Sequence, residues 1–257
     1  GALTEARGDL HASCGAPCTD RRSGSAGCMF SAAGAGVGVG VPGSAVGAGV
    51  GAGVVVTAGA TREPIDPIRV LTNRASGATG RAVAQAAAVA GADVTVIHDG
   101  GPLPYAEVVA VETAAEMAEA AVEAAATADL FIAAAAVGDY TTEAAASKIK
   151  SGSPLTVEFE PTDKVVDAVR TAAPELAMVC FKAEVADEET LLEEAQTLRE
   201  RTGALFVVAN QASVMGAETT TVRLVGAGAD APITGDKPTV AAAIVEAVVT
   251  ARSEDDE

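Results

Sequence analysis

The 257-residue chain carries 35 Asp and Glu against 17 Lys and Arg, for a formal net charge of −18 at pH 7. A surface this acidic repels nucleic-acid backbones and anionic membranes, because binding to either depends on Lys and Arg, so both classes of partner are excluded. Hydrophobic residues make up 49% of the chain but aromatic residues only 3%, so its core must consist mainly of Val, Ala, Leu and Ile.

The first 52 residues differ in composition from the rest of the chain. Nine of the twenty positions from 34 to 53 are Gly, and Gly costs about 1 kcal/mol relative to Ala inside a helix. No charge lies between Arg22 and Arg62, which leaves a membrane-spanning segment as an alternative. We favour a flexible Gly/Ala-rich segment over residues 1–52.

Three of the four cysteines lie in that first segment. With His11 nearby, they form a metal-site alternative, but no second pair of ligands follows; they are Cys14, Cys18 and Cys28. Nothing indicates a disulfide framework, so we expect the protein in the reducing cytoplasm.

From residue 53 onward, apolar strand-like runs alternate with amphipathic helical runs. The predicted strands are 54–59, 93–98, 107–111, 130–136, 155–160, 176–181 and 204–210, and the predicted helices are 79–90, 113–127, 162–172, 187–202 and 238–252. This alternation is typical of an α/β domain whose mainly parallel sheet is covered by helices on both faces. A hairpin is predicted at 220–228 and a solvated acidic tail at 253–257. In such sheets, ligands bind beyond the carboxyl ends of the strands.

The most informative segment runs from Val54 to Gly80. A buried strand ends at Gly59, the charged loop TREPIDPIR follows, and a turn of small residues at 76–80 opens the next helix. Gly and Ser let backbone amides approach an anion, and the helix N-terminus adds a favourable dipole. The segment therefore predicts a phosphate-binding turn. Asn73, just before it, is either a hydrogen-bonding group for a phosphate or carbonyl oxygen or a turn and capping residue.

Two loops place charged side chains after predicted strands. Asp139 follows the strand LFIAAAA, and its carboxylate either accepts from ribose hydroxyls, holds a metal ion or bonds nearby loop amides. Lys148 and Lys150 are two of only five lysines and lie on a Ser- and Gly-flanked loop suited to closing over phosphates. Scarce lysine in an acidic chain also fits adaptation to high salt, with an ordinary acidic soluble protein as the alternative.

A third candidate segment precedes the helix predicted at 162–172. Thr162 is a predicted N-cap of this helix, which explains the residue on stability grounds alone. The same position presents free backbone amides and the side chain of Lys164 to an anion.

Taken in order, these segments resemble phosphopantothenate–cysteine ligase, a family often found as the C-terminal half of the bifunctional coenzyme A biosynthesis protein. The matching stretches, within residues 54–250, are TAGATREPIDPIRVLTNRASGATG, FIAAAAVGDY, SKIKSG, VCFKAE and FVVANQ. The resemblance implies a Rossmann-like three-layer fold for a ligase domain at 53–252. It also implies that CTP activates the phosphopantothenate carboxylate as an acyl-cytidylate, which cysteine then attacks. Mg²⁺ is expected with the nucleotide, held by phosphates and waters.

The resemblance implies a role for each matching residue. Lys148 neutralises phosphate charge and Asn73 bonds the acyl phosphate, as the two catalytic residues, while Asn210 and Asn73 bind substrate. The implied nucleotide-binding residues are Gly59, Ser76, Gly77, Gly80, Ala133, Ala134, Ala135, Asp139, Lys148, Thr162, Asp163, Lys164, Val165 and Phe181. Where bacterial members place two further lysines, this chain has Leu198 and Thr202, with Arg199 and Arg201 as neighbouring substitutes.

The resemblance also carries expectations about partners and cofactors. It implies a homodimer that binds phosphopantothenate, cysteine and CTP. No flavin is expected, because the Gly-rich residues 1–52 cannot form the flavin-dependent decarboxylase domain of the bifunctional relatives. Where the decarboxylase activity resides is left open.

The main alternative is an NAD(P)-binding oxidoreductase. SGATG opening a helix, with Asp99 about twenty residues on, imitates a dinucleotide-binding fingerprint. Against it, TREPIDPIRVLTNRAS separates the first strand from the glycine turn, and no lysine stands four residues after Tyr140. A non-enzymatic, Gly-rich interaction protein is a weaker alternative.

Overall fold

The computed structural model describes residues 51–211, 219–228 and 231–255, with side chains described up to residue 253. The predicted N-terminal segment up to residue 50, with its linker, membrane and metal-site alternatives, lies outside the described residues. Within the described ranges, no helix combines the length and the apolar character needed to cross a bilayer.

The described residues form twelve strands and five helices. In chain order they are β1 (Gly53–Thr57), β2 (Arg62–Pro64), β3 (Val70–Thr72), α1 (Ala78–Val89), β4 (Asp93–His98), β5 (Glu107–Ala110), α2 (Ala114–Ala125), β6 (Leu130–Ala133), β7 (Tyr140–Thr141), β8 (Glu160–Pro161), α3 (Val165–Ala172), β9 (Ala177–Glu184), α4 (Glu188–Thr202), β10 (Phe206–Gln211), β11 (Thr219–Val225), β12 (Ile233–Asp236) and α5 (Lys237–Asp255).

Eight of these strands form one sheet in the order β12-β11-β10-β9-β6-β1-β4-β5. The six strands from β10 to β5 in this order are parallel, and β11 and β12 add an antiparallel edge. β2 pairs with β3 and β7 with β8 as two small antiparallel ribbons. The prediction of a mainly parallel sheet is confirmed.

Two hydrophobic cores cover the two faces of the sheet. One contains Val54 and Val56 of β1 together with buried residues of α1 and α5. The other contains Val55 together with buried residues of α2, α3 and α4. Alternate residues of β1 point to opposite faces because the side-chain period of a strand is two. The result is the predicted three-layer arrangement, packed mainly with small aliphatic side chains.

The helices begin and end where local chemistry supports a boundary. Thr113 and Glu116 form a reciprocal capping box at the start of α2. Asp187 accepts the Thr190 N–H at the start of α4, and Gly203 ends that helix in the left-handed conformation.

Three local predictions are wrong. Residues 155–159 form no strand, since Leu155 and Phe159 are exposed and only Glu160 enters β8. Helix α3 begins at Val165, three residues later than predicted. Helix α5 continues through residues 253–255 of the predicted tail. The predicted hairpin, by contrast, is present: β11 pairs antiparallel with the next strand, β12, and the hairpin extends beyond residue 228 to Asp236.

The sheet contains a topological switch point between β1 and β6. After β1 the chain adds β4 and then β5 on one side, and β6 then pairs with the opposite side of β1. The loops that leave the carboxyl ends of β1 and β6 therefore diverge and leave a crevice between them, which is where open α/β sheets bind ligands.

Candidate active site

Two glycine turns meet beside this crevice. Gly59 follows β1 with φ +87°, and Gly77 precedes α1 with φ +68°, a region of backbone space that favours glycine. A Cβ atom on Gly77 would lie 2.7 Å from both the N and the Cα of Gly59. The turn that opens α1 thus abuts the end of β1, although seventeen residues separate the two glycines in the sequence. The intervening hairpin β2–β3 folds aside.

The other two small residues of the turn have distinct local roles. Ser76 Oγ accepts the Ala78 N–H at 3.4 Å, at the beginning of α1. Gly80 is buried, and a Cβ there would lie 2.8 Å from the Cβ of Ala58. Gly80 therefore allows the close approach of α1 to β1, which accounts for this glycine by packing. Its expected contact with a nucleotide stays a prediction.

Asn73 connects the glycine turn to the loop that follows β6. Its Nδ2 donates to the Ala136 carbonyl at 2.5 Å, and its Oδ1 accepts the Ala75 N–H at 3.1 Å. The turn-stabilising role that the sequence left open is therefore present. Asn73 Nδ2 carries a second N–H, so a bond to an acyl phosphate is compatible with the bond to Ala136.

The loop after β6 lines the other side of the crevice with small side chains. Ala133 ends β6, the Ala135 N–H donates to Thr57 Oγ1 at 3.3 Å, and the Ala136 N–H donates to the Gly59 carbonyl at 2.8 Å. Ala134 and Ala135 are half-buried. The segment keeps its backbone close to the end of β1 without filling the crevice with side chains.

Asp139 and Lys164 pair with each other at 2.6 Å, with 72% and 51% of their side chains exposed. An exposed pair of this kind contributes only about 0–1 kcal/mol, so a ligand can displace either partner at small cost. Both charges remain available for the ribose and phosphate contacts that the sequence predicts for them.

Thr162 holds the loop before α3 rather than capping the helix. Its hydroxyl donates to the Gly138 carbonyl at 2.5 Å, and its N–H donates to the Asp139 carbonyl at 3.0 Å. Lys164 is the N-cap residue of α3, without a side-chain cap bond, so the N-cap prediction for Thr162 is wrong: the residue lies two positions too early. Asp163 is exposed, whereas Val165 is 4% exposed and belongs to the core. Only the backbone of Val165 is suited to a ligand contact.

Lys148 lies on a segment that docks on the tip of the β2–β3 hairpin. The Ala145 N–H donates to the Ile65 carbonyl at 3.0 Å, and the Ile149 N–H donates to Asp66 Oδ2 at 3.1 Å. The side chains of Lys148 and Lys150 are exposed. The hairpin begins after Gly59 and ends before Asn73. Its tip therefore also binds the segment that contains Lys148, which we call the lysine segment (residues 145–150).

Phe181 and Asn210 lie on β9 and β10, farther along the same sheet edge. Phe181 is half-buried against the core of α1 and α5, and Asn210 stands opposite Ala183 near the end of β10. Two strands, β9 and β6, separate β10 from β1, which corresponds to about 14 Å across the sheet. Asn210 therefore lies away from the glycine turns, and its expected contact with substrate stays a prediction.

Sequence reasoning missed the buried carboxylates of the charged loop. Glu63 is 3% exposed; its two oxygens accept the Ala114 N–H at 2.9 Å and the Thr141 hydroxyl at 3.0 Å. Thr61 Oγ1 accepts the Gly138 N–H at 2.8 Å. These contacts fix the hairpin to α2 and to the loop after β6. The available signal was an acidic residue between Arg62 and Pro64 in a loop rich in charged residues, where an acidic side chain is ordinarily expected to be exposed to solvent.

The family model described as the DNA/pantothenate metabolism flavoprotein C-terminal domain matches residues 50–251. The chain belongs to this family. Membership confirms the resemblance predicted from the sequence, and the fold agrees with it.

Individual relatives support the same assignment. The coenzyme A biosynthesis bifunctional protein CoaBC of Thermococcus kodakarensis is 44% identical over 180 residues, which cover 67% of this chain and 44% of that protein. The chain thus spans less than half the length of this curated relative. The crystal structure of a CoaBC C-terminal domain shares 26% identity and a TM-score of 0.64, covering 81% of this chain and 98% of the other. A Cab2 variant in complex with phosphopantothenate-cysteine shares the fold, with 17% identity, a TM-score of 0.64 and coverage of 79% and 87%.

The oxidoreductase alternative gains no support from the site of this family member. Asp99, which would have to bind a ribose hydroxyl, forms an ion pair with Arg62 at 2.6 Å. His98, at the end of β4, is buried as expected of a structural residue, and burial followed by the charge of Arg81 lowers its pKa. A buried neutral imidazole of this kind is typical of a packing role.

The two arginines considered as substitutes for lysine have partners elsewhere. Arg199 Nε donates to the Leu205 carbonyl at 3.2 Å, and Arg201 pairs with Asp167. Both residues lie in the last turn of α4, which returns the chain from the end of β9 to the start of β10. They therefore lie at the edge of the sheet opposite the crevice of the same chain.

The polar residues at the crevice fit a metal that arrives with a nucleotide. Among the described residues, no three His, Cys, Asp or Glu side chains converge on one point. Asp139 is the carboxylate of the loop after β6. A single carboxylate matches Mg²⁺ held mainly by phosphates and waters rather than by a protein cage.

Proposed function

We propose that this chain is a phosphopantothenate–cysteine ligase. In the proposed reaction, CTP is cleaved to CMP and pyrophosphate, and phosphopantothenate and cysteine are joined by an amide bond. The observation that carries the proposal is the contact between the Gly59 and Gly77 turns at the switch point, with the Lys148 segment docked on the hairpin between them. Family membership and the 44% identity to a bifunctional CoaBC protein support the same reaction.

The proposed first step is activation of an inert acid. A carboxylate oxygen of phosphopantothenate attacks the α-phosphorus of CTP, and the bond from that phosphorus to the bridging oxygen breaks to release pyrophosphate. The backbone amides of the glycine turn at the start of α1 favour negative charge, and Lys148 would neutralise charge on the phosphates. The catalytic contribution of such groups is positioning and electrostatic stabilisation.

The proposed second step forms the amide. The cysteine nitrogen attacks the acyl carbon, the bond from carbon to the phosphate oxygen of CMP breaks, and the amine loses its proton. Asn73 Nδ2 would donate to the acyl phosphate from its position beside Ala136. Small residues Ala133 to Ala135 would admit the nucleoside, with Asp139 as an acceptor for its hydroxyls and Phe181 packing nearby. Asn210 would bind the distant part of the substrate.

Bound Mg²⁺ would supply charge neutralisation on the triphosphate. The metal would be held by phosphates and waters, and Thr162, Asp163, Lys164 and the backbone of Val165 would border the nucleotide. We also propose a homodimer acting in the cytoplasm, which a light-scattering mass on the purified protein tests directly.

A pyrophosphate-release assay tests the reaction. The complete mixture contains CTP, phosphopantothenate, cysteine and Mg²⁺, and each component is omitted in turn. We expect continuous pyrophosphate release only from the complete mixture. Without cysteine, release should stop after one equivalent per site, because the acyl-cytidylate then has no acceptor.

Two outcomes separate the claims. Release with ATP in place of CTP at an equal rate would contradict the proposed nucleotide but leave the ligase reaction standing. A complete mixture that releases no pyrophosphate with either nucleotide would reject the ligase function for this chain.

A further inference from the structure

The tip of the β2–β3 hairpin contains a carboxylate with no exposed surface. The side chain of Asp66 is 0% exposed, whereas that of its ion-pair partner Arg69 is 41% exposed. Asp66 Oδ1 accepts the N–H groups of Ile68 and Arg69, each at 2.9 Å. Asp66 Oδ2 accepts from the Arg69 guanidinium and from the Ile149 N–H. All of its donors belong either to the hairpin tip or to Ile149.

The same two residues bind both backbone polar groups of Ile149. The Ile149 N–H donates to Asp66 at 3.1 Å, and the Ile149 carbonyl accepts from Arg69 Nη1 at 3.1 Å. We call Asp66, Arg69 and the backbone of Ile149 the Ile149 clamp. The clamp joins segments eighty residues apart in the sequence, and the bond from Ala145 N–H to the Ile65 carbonyl lies beside it.

The charge of Asp66 strengthens the clamp. Burial raises the pKa of this carboxyl, but the N–H groups of Ile68, Ile149 and Arg69 and the charge of Arg69 outweigh burial and bring the pKa to about 2. The carboxylate is therefore ionised at neutral pH, and its hydrogen bonds to backbone N–H groups are charge-assisted and stronger than neutral ones.

The clamp is connected to the crevice through the hairpin itself. The Thr72 hydroxyl donates to the Thr61 carbonyl at 2.7 Å across the base of the hairpin, and the Arg62 N–H donates to the Glu112 carbonyl at 2.7 Å. Asn73 follows the hairpin directly and contacts the loop after β6. A fixed base and a fixed tip give the lysine segment a defined position relative to the glycine turns.

We propose that Asp66 and Arg69 are positioning residues that hold Ile149 so that Lys148 reaches the phosphates of the nucleotide. The catalytic part of this proposal rests on the ligase function proposed above; the clamp itself does not. A lysine is a point charge on a flexible four-carbon stem. The distance from its charge to a phosphate therefore depends on where its backbone is held. With Ile149 anchored, the Lys148 side chain keeps its freedom while its backbone stays close to the site.

Limited proteolysis tests the clamp without any assumption about the reaction. Trypsin cleaves the bond between Lys148 and Ile149, whose N–H is held by Asp66. Cleavage of a transiently opened segment follows the population of the open form. Losing a charge-assisted hydrogen bond should therefore speed cleavage at this bond about tenfold or more in Asp66→Asn. Mass spectrometry of the fragments identifies the site.

Asp129→Asn is the matched control for this measurement. Asp129 Oδ2 accepts the Gly53 N–H at 2.8 Å at the start of β1, at the opposite edge of the sheet. The control should leave cleavage after Lys148 at the wild-type rate. Arg69→Met removes the bond to the Ile149 carbonyl and the ion pair with Asp66, but it leaves the two backbone N–H bonds to Asp66 Oδ1 and the bond from the Ile149 N–H. It therefore tests the clamp if Asp66→Asn does not fold.

A double-mutant cycle tests the consequence for catalysis. Asp66→Asn should lower kcat about tenfold to a hundredfold with a smaller change in KM, because displacement of a charged group weakens its contact in the transition state. In a Lys148→Gln background, the same substitution should change kcat little, because the group that it positions is gone. A protein with a purely structural Asp66 would lose the same factor in both backgrounds.

The outcomes distinguish this proposal from the ligase proposal. Wild-type cleavage rates after Lys148 in both Asp66→Asn and Arg69→Met would overturn the clamp, whatever the protein catalyses. Faster cleavage with equal losses of kcat in both backgrounds would overturn the positioning role. Absence of ligase activity in the wild type would reject the function and leave the proteolysis result as the measure of the clamp.

Discussion

Lys148 owes its position to its neighbour rather than to a contact of its own. Among the described residues its side chain has no hydrogen bond or ion pair, while the next residue, Ile149, is bound through both backbone groups. The charge of Lys148 is therefore available for the triphosphate contact proposed above.

We therefore expect Lys148→Gln to lower kcat at least about a hundredfold, in line with the loss of one charge-stabilising group. The fold should be unaffected, because the side chain is exposed and unpaired. Steady-state pyrophosphate release gives kcat, and a urea unfolding curve gives the stability. Lys150→Gln removes the same charge two residues away and should cost clearly less. A loss for Lys150→Gln as large as that for Lys148→Gln would contradict the assignment to Lys148.

Residue types predicted where the candidate residues lie better than they predicted what those residues contact. Asn73 and Asp139 lie in loops beside the crevice, as expected, but their partners Ala136 and Lys164 come from remote segments. Glu63 and Asp66 were read as part of a charged loop and are buried. Burial of a carboxylate depends on donors such as the Ala114 and Ile149 N–H groups, and these are supplied by tertiary structure alone.

At the scale of elements, the hairpin β2–β3 explains how the glycine turn abuts the end of β1 without following it directly in the sequence. A glycine turn is expected to follow its strand directly, yet seventeen residues separate Gly59 and Gly77. The hairpin closes on itself, since β2 and β3 pair over Arg62–Thr72, and returns the chain to the end of β1. The two glycine turns therefore stay in contact, and the tip of the inserted hairpin carries the Ile149 clamp.

The contact between the two turns predicts a specific sensitivity. Gly77→Ala places a side chain in the left-handed region, which costs about 1–2 kcal/mol. It also forces a Cβ to within 2.7 Å of Gly59, and overpacking of this kind costs about 1–3 kcal/mol more. Gly203→Ala is the matched control: its φ is +60° and a Cβ there meets nothing within 4 Å. Urea midpoints at unchanged slope should show Gly77→Ala to be the less stable variant; equal midpoints would contradict the packing argument.

Helices and central strands were predictable because their patterns are long and periodic. Helix α4 was expected at 187–202 and occupies Glu188–Thr202, with a capping Asp and a terminal Gly that are visible in the sequence. The segment 155–160 was predicted as a strand because its residues alternate. A strand forms only where another strand offers backbone partners, and in the described part of the chain only Glu160 and Pro161 of this region pair, with β7.

At the scale of the whole molecule, two opposing electrostatic effects respond to salt. Excess acidic charge destabilises the compact state by self-repulsion, and salt screens that repulsion. Ion pairs such as Arg201 with Asp167 and Arg223 with Glu188 stabilise the fold, and salt weakens them. Exposed pairs contribute only about 0–1 kcal/mol each. The 35 acidic residues, by contrast, outnumber the 17 basic ones, so repulsion between carboxylates acts over the whole surface. Screening of the repulsion should therefore be the larger effect.

We expect the melting temperature to rise by about 5 °C or more when KCl is raised from about 0.1 M to about 2 M, since about 1 kcal/mol corresponds to about 2–4 °C for a domain of this size. The Debye length falls from about 10 Å to below about 3 Å over this range, so repulsion between neighbouring carboxylates is largely removed. Circular dichroism melting curves measure the shift. Sucrose at matched osmolality controls for solute exclusion, which stabilises any compact protein. Equal melting temperatures at the two KCl concentrations, or an equal rise with sucrose, would show that self-repulsion does not limit the stability of this acidic chain.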